Sequence, residues 1–213
     1  MTETKKFRRR AEARPDEVLD AALSVFVARG FAATKVDDIA RQAGVSKGTV
    51  YLYFPSKEAL LEGIVQRAMA PIADSAAPDL AQFEGDPRLP IAMVLHMLCQ
   101  TLGQPDKIDI LKLILREAMN FPAIAEMYRR HVLDKMVPAL TGLLARGVEQ
   151  GHLRPVDPEL TIRSVVGPLI AHIALSEIFD IRPSDGMALE RLVENHIDIL
   201  FHGISAEPQE ARP

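Results

Sequence analysis

The sequence predicts an all-α chain in two parts. Apolar residues recur three and four apart along most of its 213 residues, and the alternation of a half-buried strand is not seen. Glycine and proline fall where those stripes stop. Charge divides the chain as well. Residues 1–57 carry 11 Lys and Arg against 7 Asp and Glu, and the remainder carries 14 against 22, so a head of +4 precedes a body of −8. A basic head on an acidic body suits a polyanionic partner, although the whole chain stands at −4.

Composition narrows the class. Hydrophobic residues at 48% and charged residues at 25% describe an ordinary globular protein with room for a sizeable core. A single cysteine, Cys99, excludes an intramolecular disulfide and a multi-cysteine metal site, and it fits a reducing compartment. The basic N-terminus lacks the apolar stretch of a signal peptide. The longest uncharged stretch, Leu89–Pro105, contains His96, Gln100, Gln104 and two prolines and is a poor membrane span. A cytoplasmic protein is expected.

Met1–Arg14 carries Lys5, Lys6, Arg8, Arg9, Arg10 and Arg14. It reads either as a solvated tail or as an arm that ties down phosphates beside a DNA groove. The first helix is expected over Pro15–Arg29, with Pro15, Asp16 and Glu17 in its first turn. Its apolar stripe is Val18, Ala22, Val25 and Phe26, and Gly30 ends it.

Thr34–Phe54 then reads as two short helices joined by a tight turn. Thr34 is placed to cap the first, with Asp37 three residues on as reciprocal acceptor. Val36, Ile39, Ala40 and Ala43 give that helix one apolar face, and Gly44 supplies the turn. Ser46 caps the second helix, with Val45 and Val50 at the staple positions. Val50 and Phe54 face inward. Left outside are Lys47 for positive charge, Gly48 for close backbone approach, Thr49 for a thymine methyl or polar edge, and the Tyr51 and Tyr53 hydroxyls for phosphates. Thr34, Lys35 and Ser46, at the two helix starts, complete the expected DNA face.

Pro55-Ser56 opens the next helix, capped by Ser56 and buried through Leu60, Leu61, Ile64, Val65 and Ala68. Lys57 stands in its first turn, where a cation opposes the dipole. From Pro71 to Pro90 the chain is rich in Pro and Gly and reads as the boundary between a domain at 12–72 and one at 73–205.

Beyond it come Ile91, Val94, Leu95, Leu98 and Leu102 on one helical face, then Ile108, Leu111, Leu115, Ala118 and Met119 on the next. A short helix over Ala123–His131 runs into a longer one ended by Gly151. Asp157 or Pro158 starts another, with a kink expected at Gly167-Pro168. The last carries Leu189, Leu192, Val193, His196, Ile197, Leu200 and Phe201, and Ala206–Pro213 is expected to fray.

The head resembles the DNA-binding domain of TetR-type (TetR/AcrR) transcriptional repressors. The likeness runs without a gap from about Arg14 to Met69. It rests on Phe26 to Gly30, Thr34, Asp38-Ile39-Ala40, Ala43-Gly44-Val45-Ser46-Lys47-Gly48-Thr49-Val50-Tyr51 and Tyr53-Phe54-Pro55-Ser56-Lys57-Glu58-Ala59-Leu60. The resemblance implies a helical C-terminal domain for dimerisation and ligand sensing, and a homodimer released from a palindromic operator by a small molecule. It favours a phosphate contact for Lys57 over a plain surface lysine. It also implies that the last two helices pair with their symmetry mates, which would place Val165, Leu169, Ile173, Leu192, His196, Ile197 and Leu200 at the interface; the alternative is an intrachain core. A two-fold dimer is also what spaces two recognition helices about 34–36 Å apart.

Met93, His96, Met97, Leu115, Met119, Phe121, Met127 and Tyr128 are either plain core or the lining of an adaptable apolar pocket. His96 and Cys99 lie three apart with no carboxylate in register, and the other histidines show no metal-ligand spacing. No phosphate-loop, dinucleotide or nucleophile-elbow motif occurs, so no cofactor, no metal and no enzymatic activity is expected. Two rivals remain: a DNA binder governed by a protein partner, and an enzyme using Cys99 or a histidine in a C-terminal cavity.

Overall fold

The structure is a computed structural model that describes the backbone of residues 3–204 and the side chains of 15–203. The basic side chains of the N-terminal arm and the tail from Ala206 lie outside the described residues. Eleven α-helices are present among them: α1 (Glu3–Arg29), α2 (Val36–Gln42), α3 (Lys47–Tyr53), α4 (Lys57–Ala68), α5 (Ala70–Gln82), α6 (Arg88–Leu102), α7 (Pro105–Glu117), α8 (Pro122–Tyr128), α9 (Asp134–Glu149), α10 (Pro158–Glu177) and α11 (Leu189–Ile204). A π-helical turn, Arg129–Leu133, joins α8 to α9. No strand occurs among the described residues.

The chain forms two compact units. One holds the chain up to Pro71 together with Asp106–Val132; the other holds Ile72–Pro105 and everything from Leu133 onward. This division differs from the single cut expected at 72/73, because α7 and α8 pack with the head. Ile110, Leu113, Ile114, Ile124 and Met127 are buried in one core with Val18, Phe26, Phe31, Ile39, Val50, Leu60 and Ile64. On α7 the buried residues are Ile110, Leu111, Leu113, Ile114 and Glu117; of the stripe Ile108, Leu111, Leu115, Ala118 and Met119 that periodicity suggests, Leu111 is buried, and the inner face is otherwise rotated away from it. The cause is Glu117, a polar residue on the inner face. Its carboxylate accepts from the Phe31 N–H at 3.2 Å. Arg116 donates to that carboxylate at 3.0 Å and to the Phe26 carbonyl at 3.3 Å. Together they satisfy the Phe31 N–H past the end of α1 and add a second donor to the Phe26 carbonyl, which also accepts from the Gly30 N–H.

Two helices start or run differently from expectation. α1 begins at Glu3, with Pro15 inside it rather than in its first turn. Lys, Arg, Ala and Glu before Pro15 are strong helix formers, which outweighs one lost backbone hydrogen bond. α5 occupies most of the stretch read as a loose boundary and has Pro78 inside it. Five alanines among its 13 residues explain its helicity, and 83–87 is the loop that remains. α4 stops at Ala68, where Lys107 donates to the Ala68 carbonyl at 2.5 Å. Burial pushes the Lys107 ammonium below its usual pKa, and Arg67 adds to that.

In the second unit, α10 packs on α9, α11 and α6. Its core is Ile91, Leu95, Leu140, Leu143, Val165, Leu169, Ile173 and Val193. Asp157 caps α10 by accepting from the Leu160 N–H at 3.1 Å, with Pro158 at the first helical position. α10 passes through Gly167-Pro168 as one helix.

Candidate DNA-binding surface

α3 is aimed by three local devices. Gly44, at φ +65°, makes the turn after α2 that a side chain would strain. The Ser46 hydroxyl accepts from the Thr49 N–H at 3.0 Å and fixes the helix start. Val50 is fully buried and pins one side of α3 to the core, with half-buried Val45 beside the same cluster as the staple predicts. The opposite side is open. Ser46, Lys47, Gly48, Tyr51 and Leu52 are exposed there, and Thr49 and Tyr53 flank it half-buried.

Several of these groups hold partners in the free protein. Lys47 Nζ pairs with Asp37 of α2 at 2.6 Å, and that hydrogen bond holds the ammonium above its usual pKa. The Thr49 and Ser46 hydroxyls lie 2.8 Å apart in a mutual hydrogen bond. Lys35 is exposed as the first-position cap of α2, in extended backbone. Gly48 would meet nothing nearer than the Ser46 hydroxyl at 3.7 Å, so its backbone is open to approach. Leu52, at 76% exposure, joins this face although its side chain carries no polar group to mark it. Helical geometry finds it, since it stands opposite Val50.

Two expected members of the face are turned inward. Thr34 is buried and does not cap α2; its hydroxyl donates to the Gly30 carbonyl at 2.7 Å. Gly30, at φ +80°, brings that carbonyl within reach, and Asp37 is left to pair with Lys47. Lys57 is likewise no free surface cation. Its ammonium donates to Phe31 O at 2.6 Å, Ala32 O at 3.2 Å and Thr34 O at 3.2 Å, and lies 4.5 Å from the Phe31 ring centroid. Three donors meet three carbonyls left by the α1–α2 turn. Both side chains therefore shape the turn that carries α2.

The residues expected to line a pocket are divided between the units. Phe121, Met127 and Tyr128 pack into the core of the head. Met119 lies past the end of α7 and is 91% exposed, and Leu115 is half-buried. On α6, Met93 is 62% exposed, His96 is exposed and Met97 is half-buried. The second unit has its clefts elsewhere. One of about 370 Å³ lies where Ala73, Ala77 and Pro78 of α5 face Pro138 and Ala139 of α9, edged by Asp74, Lys135 and Arg146. Another of about 340 Å³ is lined by His172, Leu192 and Asn195 with Pro183, Ala188 and Arg191. Cys99 is buried, and burial pushes its thiol up. Among the described residues no group of three His, Cys, Asp or Glu could hold a metal ion, and no helix is long and apolar enough to cross a membrane.

The expected interface is also mostly internal. Val165, Leu169, Ile173, His196 and Leu200 are buried within the second unit, and Leu192 and Ile197 are half-buried. His196 donates Nε2–H to the Val165 carbonyl at 2.9 Å, which ties α11 to α10. Leu160, Leu175 and Ile199 are the large apolar residues that α10 and α11 leave exposed.

Comparison with known proteins agrees with this architecture. The family model described as bacterial regulatory proteins, tetR family, matches residues 18–64. The model described as tetracyclin repressor-like, C-terminal domain, matches residues 77–195. The regulator YfiR of Bacillus subtilis is 30% identical over 153 residues, covering 70% of this chain and 72% of its own. SrpR of Pseudomonas putida is 29% identical over 150 residues, covering 70% and 68%. SmeT, the repressor of the Stenotrophomonas maltophilia multidrug efflux pump SmeDEF, shares the fold with a TM-score of 0.73 at 20% identity, over 93% of this chain and 95% of its own. SmeT is also known as a complex with triclosan.

Proposed function

Because the chain belongs to the tetR family of bacterial regulatory proteins, and so is a DNA-binding transcriptional regulator and not an enzyme, we propose that it represses transcription as a homodimer on a palindromic operator. The observation that carries this reading is the outward face of α3, with Lys47, Gly48 and Tyr51 exposed opposite buried Val50. Lys35, Ser46, Thr49 and Tyr53 border that face. A seven-residue helix reads too few base pairs for useful specificity alone, and a two-fold pair of heads supplies the second half-site. Binding-site selection from random duplexes tests this. A palindrome with half-site centres about 10 base pairs or a multiple apart supports it. Selection of no sequence, or tight palindrome binding by a monomer in sizing runs, overturns it.

Release by a small, mainly apolar molecule completes the proposal. The cleft between α5 and α9 supports it, with small apolar side chains on both walls and an Asp74–Lys135 ion pair at its edge. The triclosan bound by SmeT is a molecule of the kind such walls accept. Triclosan is therefore a first probe by thermal shift, since a ligand of the native state raises the unfolding temperature by mass action. A genuine effector must also bind the DNA-bound dimer more weakly by the factor with which it weakens DNA binding. Equal affinities with and without operator would mean that the compound occupies the cleft without regulating.

A further inference from the structure

Val50 fixes the direction in which α3 faces away from the core. At about 100° per residue, positions 48 and 52 lie roughly 160° and 200° around the helix from it. They bracket the line opposite the core, the crest of the helix. Position 48 is Gly and adds no side chain there. Leu52, one turn on, is 76% exposed. Helical side chains lean toward the N-terminus, so Leu52 leans over the space that Gly48 leaves.

The polar neighbours differ from it in a decisive way. Lys47 is paired with Asp37, and the Thr49 hydroxyl with that of Ser46. Each must exchange a partner to contact DNA, which lowers the net gain. Leu52 has only water to lose and gains by being covered. A single exposed leucine is ordinary on a protein surface. One at the crest of a groove-entering helix, above a glycine that lets the backbone sit low, has a specific counterpart. The apolar feature displayed in the major groove is the 5-methyl group of thymine; the other base edges there offer hydrogen-bonding groups that a leucine would cover and leave unpaired.

We propose that Leu52 reads sequence by packing against a thymine methyl at one fixed position of each operator half-site. This rests on α3 being the recognition helix, as proposed above, and adds the chemistry of one specificity contact. Lys47 and Tyr51 then supply phosphate contacts, which set register without choosing the base.

The test uses an operator obtained by selection with the wild-type protein. Each thymine is replaced in turn, in both half-sites, by deoxyuridine, which removes only the methyl group. Affinities are measured for the full-length wild type and for Leu52→Ala, whose folding is checked by urea unfolding. At one symmetric position the replacement should weaken wild-type binding about fourfold per half-site, the worth of one buried methyl. Leu52→Ala should bind the thymine and deoxyuridine operators equally at that position, and selection with it should lose the thymine there alone. The inference is overturned if no replacement weakens the wild type, or if the same replacement weakens both proteins alike. It falls together with the recognition-helix reading if the wild type selects no operator; if an operator is selected and Leu52→Ala keeps every preference, it falls alone.

Discussion

Replacing Lys57 by Met separates two roles for one ammonium group. The substitution keeps the aliphatic stem and removes three donors, which lie 2.6, 3.2 and 3.2 Å from the carbonyls of Phe31, Ala32 and Thr34. A net hydrogen bond to a charged group contributes about 1.5–3 kcal/mol. The three are not independent, because they share one charge and the Ala32 bond is exposed. We therefore count them as one strong interaction of about 2 kcal/mol. The cation lying over the Phe31 ring adds about 0.5–1 kcal/mol. Relief of a positive charge at the N-terminus of α4 returns about 0.3–1 kcal/mol. The balance is a loss of about 2 kcal/mol, or about 1 M in urea midpoint at an m value near 2 kcal/mol/M. Equilibrium urea unfolding measures it. Operator titration over a range of salt supplies the contrast: if Lys57 is structural, the slope of log affinity against log salt stays that of the wild type. An unchanged midpoint with a salt slope reduced by about one per head would refute the reasoning and return Lys57 to the phosphate backbone.

Three further perturbations follow from the same contacts. Glu117→Ala strands the Phe31 N–H in the core of the head and should cost about 1–3 kcal/mol in urea unfolding, with Glu117→Gln milder because its amide oxygen can still accept. The Glu62 carboxyl is held below its usual pKa by its hydrogen bond to His131, with Arg130 assisting. Its contribution is therefore complete above the unfolded carboxylate pKa of about 4.3 and is lost as pH falls through the lower folded value. Midpoints measured from pH 3 to 7 should fall more steeply on the acid side for the wild type than for Glu62→Gln, and parallel curves would count against the contact. Leu169→Glu puts a charge into the core of the second unit and should unfold it, whereas Ile199→Glu, on the exposed side of α11, should leave circular dichroism intact and, if that face joins two copies, yield a folded monomer in sizing runs.

What sequence could disclose followed the reach of each signal. Helix stripes at Val18, Ala22, Val25 and Phe26, and at Leu60, Leu61, Ile64 and Val65, were legible because a 3.6-residue period needs no knowledge of the partner. Ser46 and Ser56 are legible as caps because the N–H groups their hydroxyls accept from lie three residues away. Thr34 has the same signature and a different fate. A threonine hydroxyl donates as well as accepts, and the positive φ of Gly30 offers it a carbonyl that no local pattern announces. Lys57 looked misplaced against the dipole since its partners stand 23 to 26 residues away. The apolar stripe of α7 shares only Leu111 with the buried face, because Glu117, the residue that marks that face, is charged. Met119 was drawn into the stripe although the helix had already ended at Glu117.

The same reasoning bears on α10, where apolar content alone could not separate an intrachain core from a surface between copies. Ile162, Val165, Leu169 and Ile173 are buried within the unit, so that stripe is already spent. A second stripe runs along another side of the helix: Leu160, Ser164, Gly167, Ala171 and Leu175, spaced four and three apart. Leu160 and Leu175 at its ends are exposed, and the residues between them are small. Small side chains in the middle of a stripe let a facing helix approach closely, while the larger ends supply apolar area to bury. Two helical stripes on one element are the pattern expected of a helix that packs inside its own chain on one side and against a second copy on the other. If two copies pair as proposed above, the side of α10 along Leu160–Leu175 is open to the second copy, whereas Leu169 is buried within the unit.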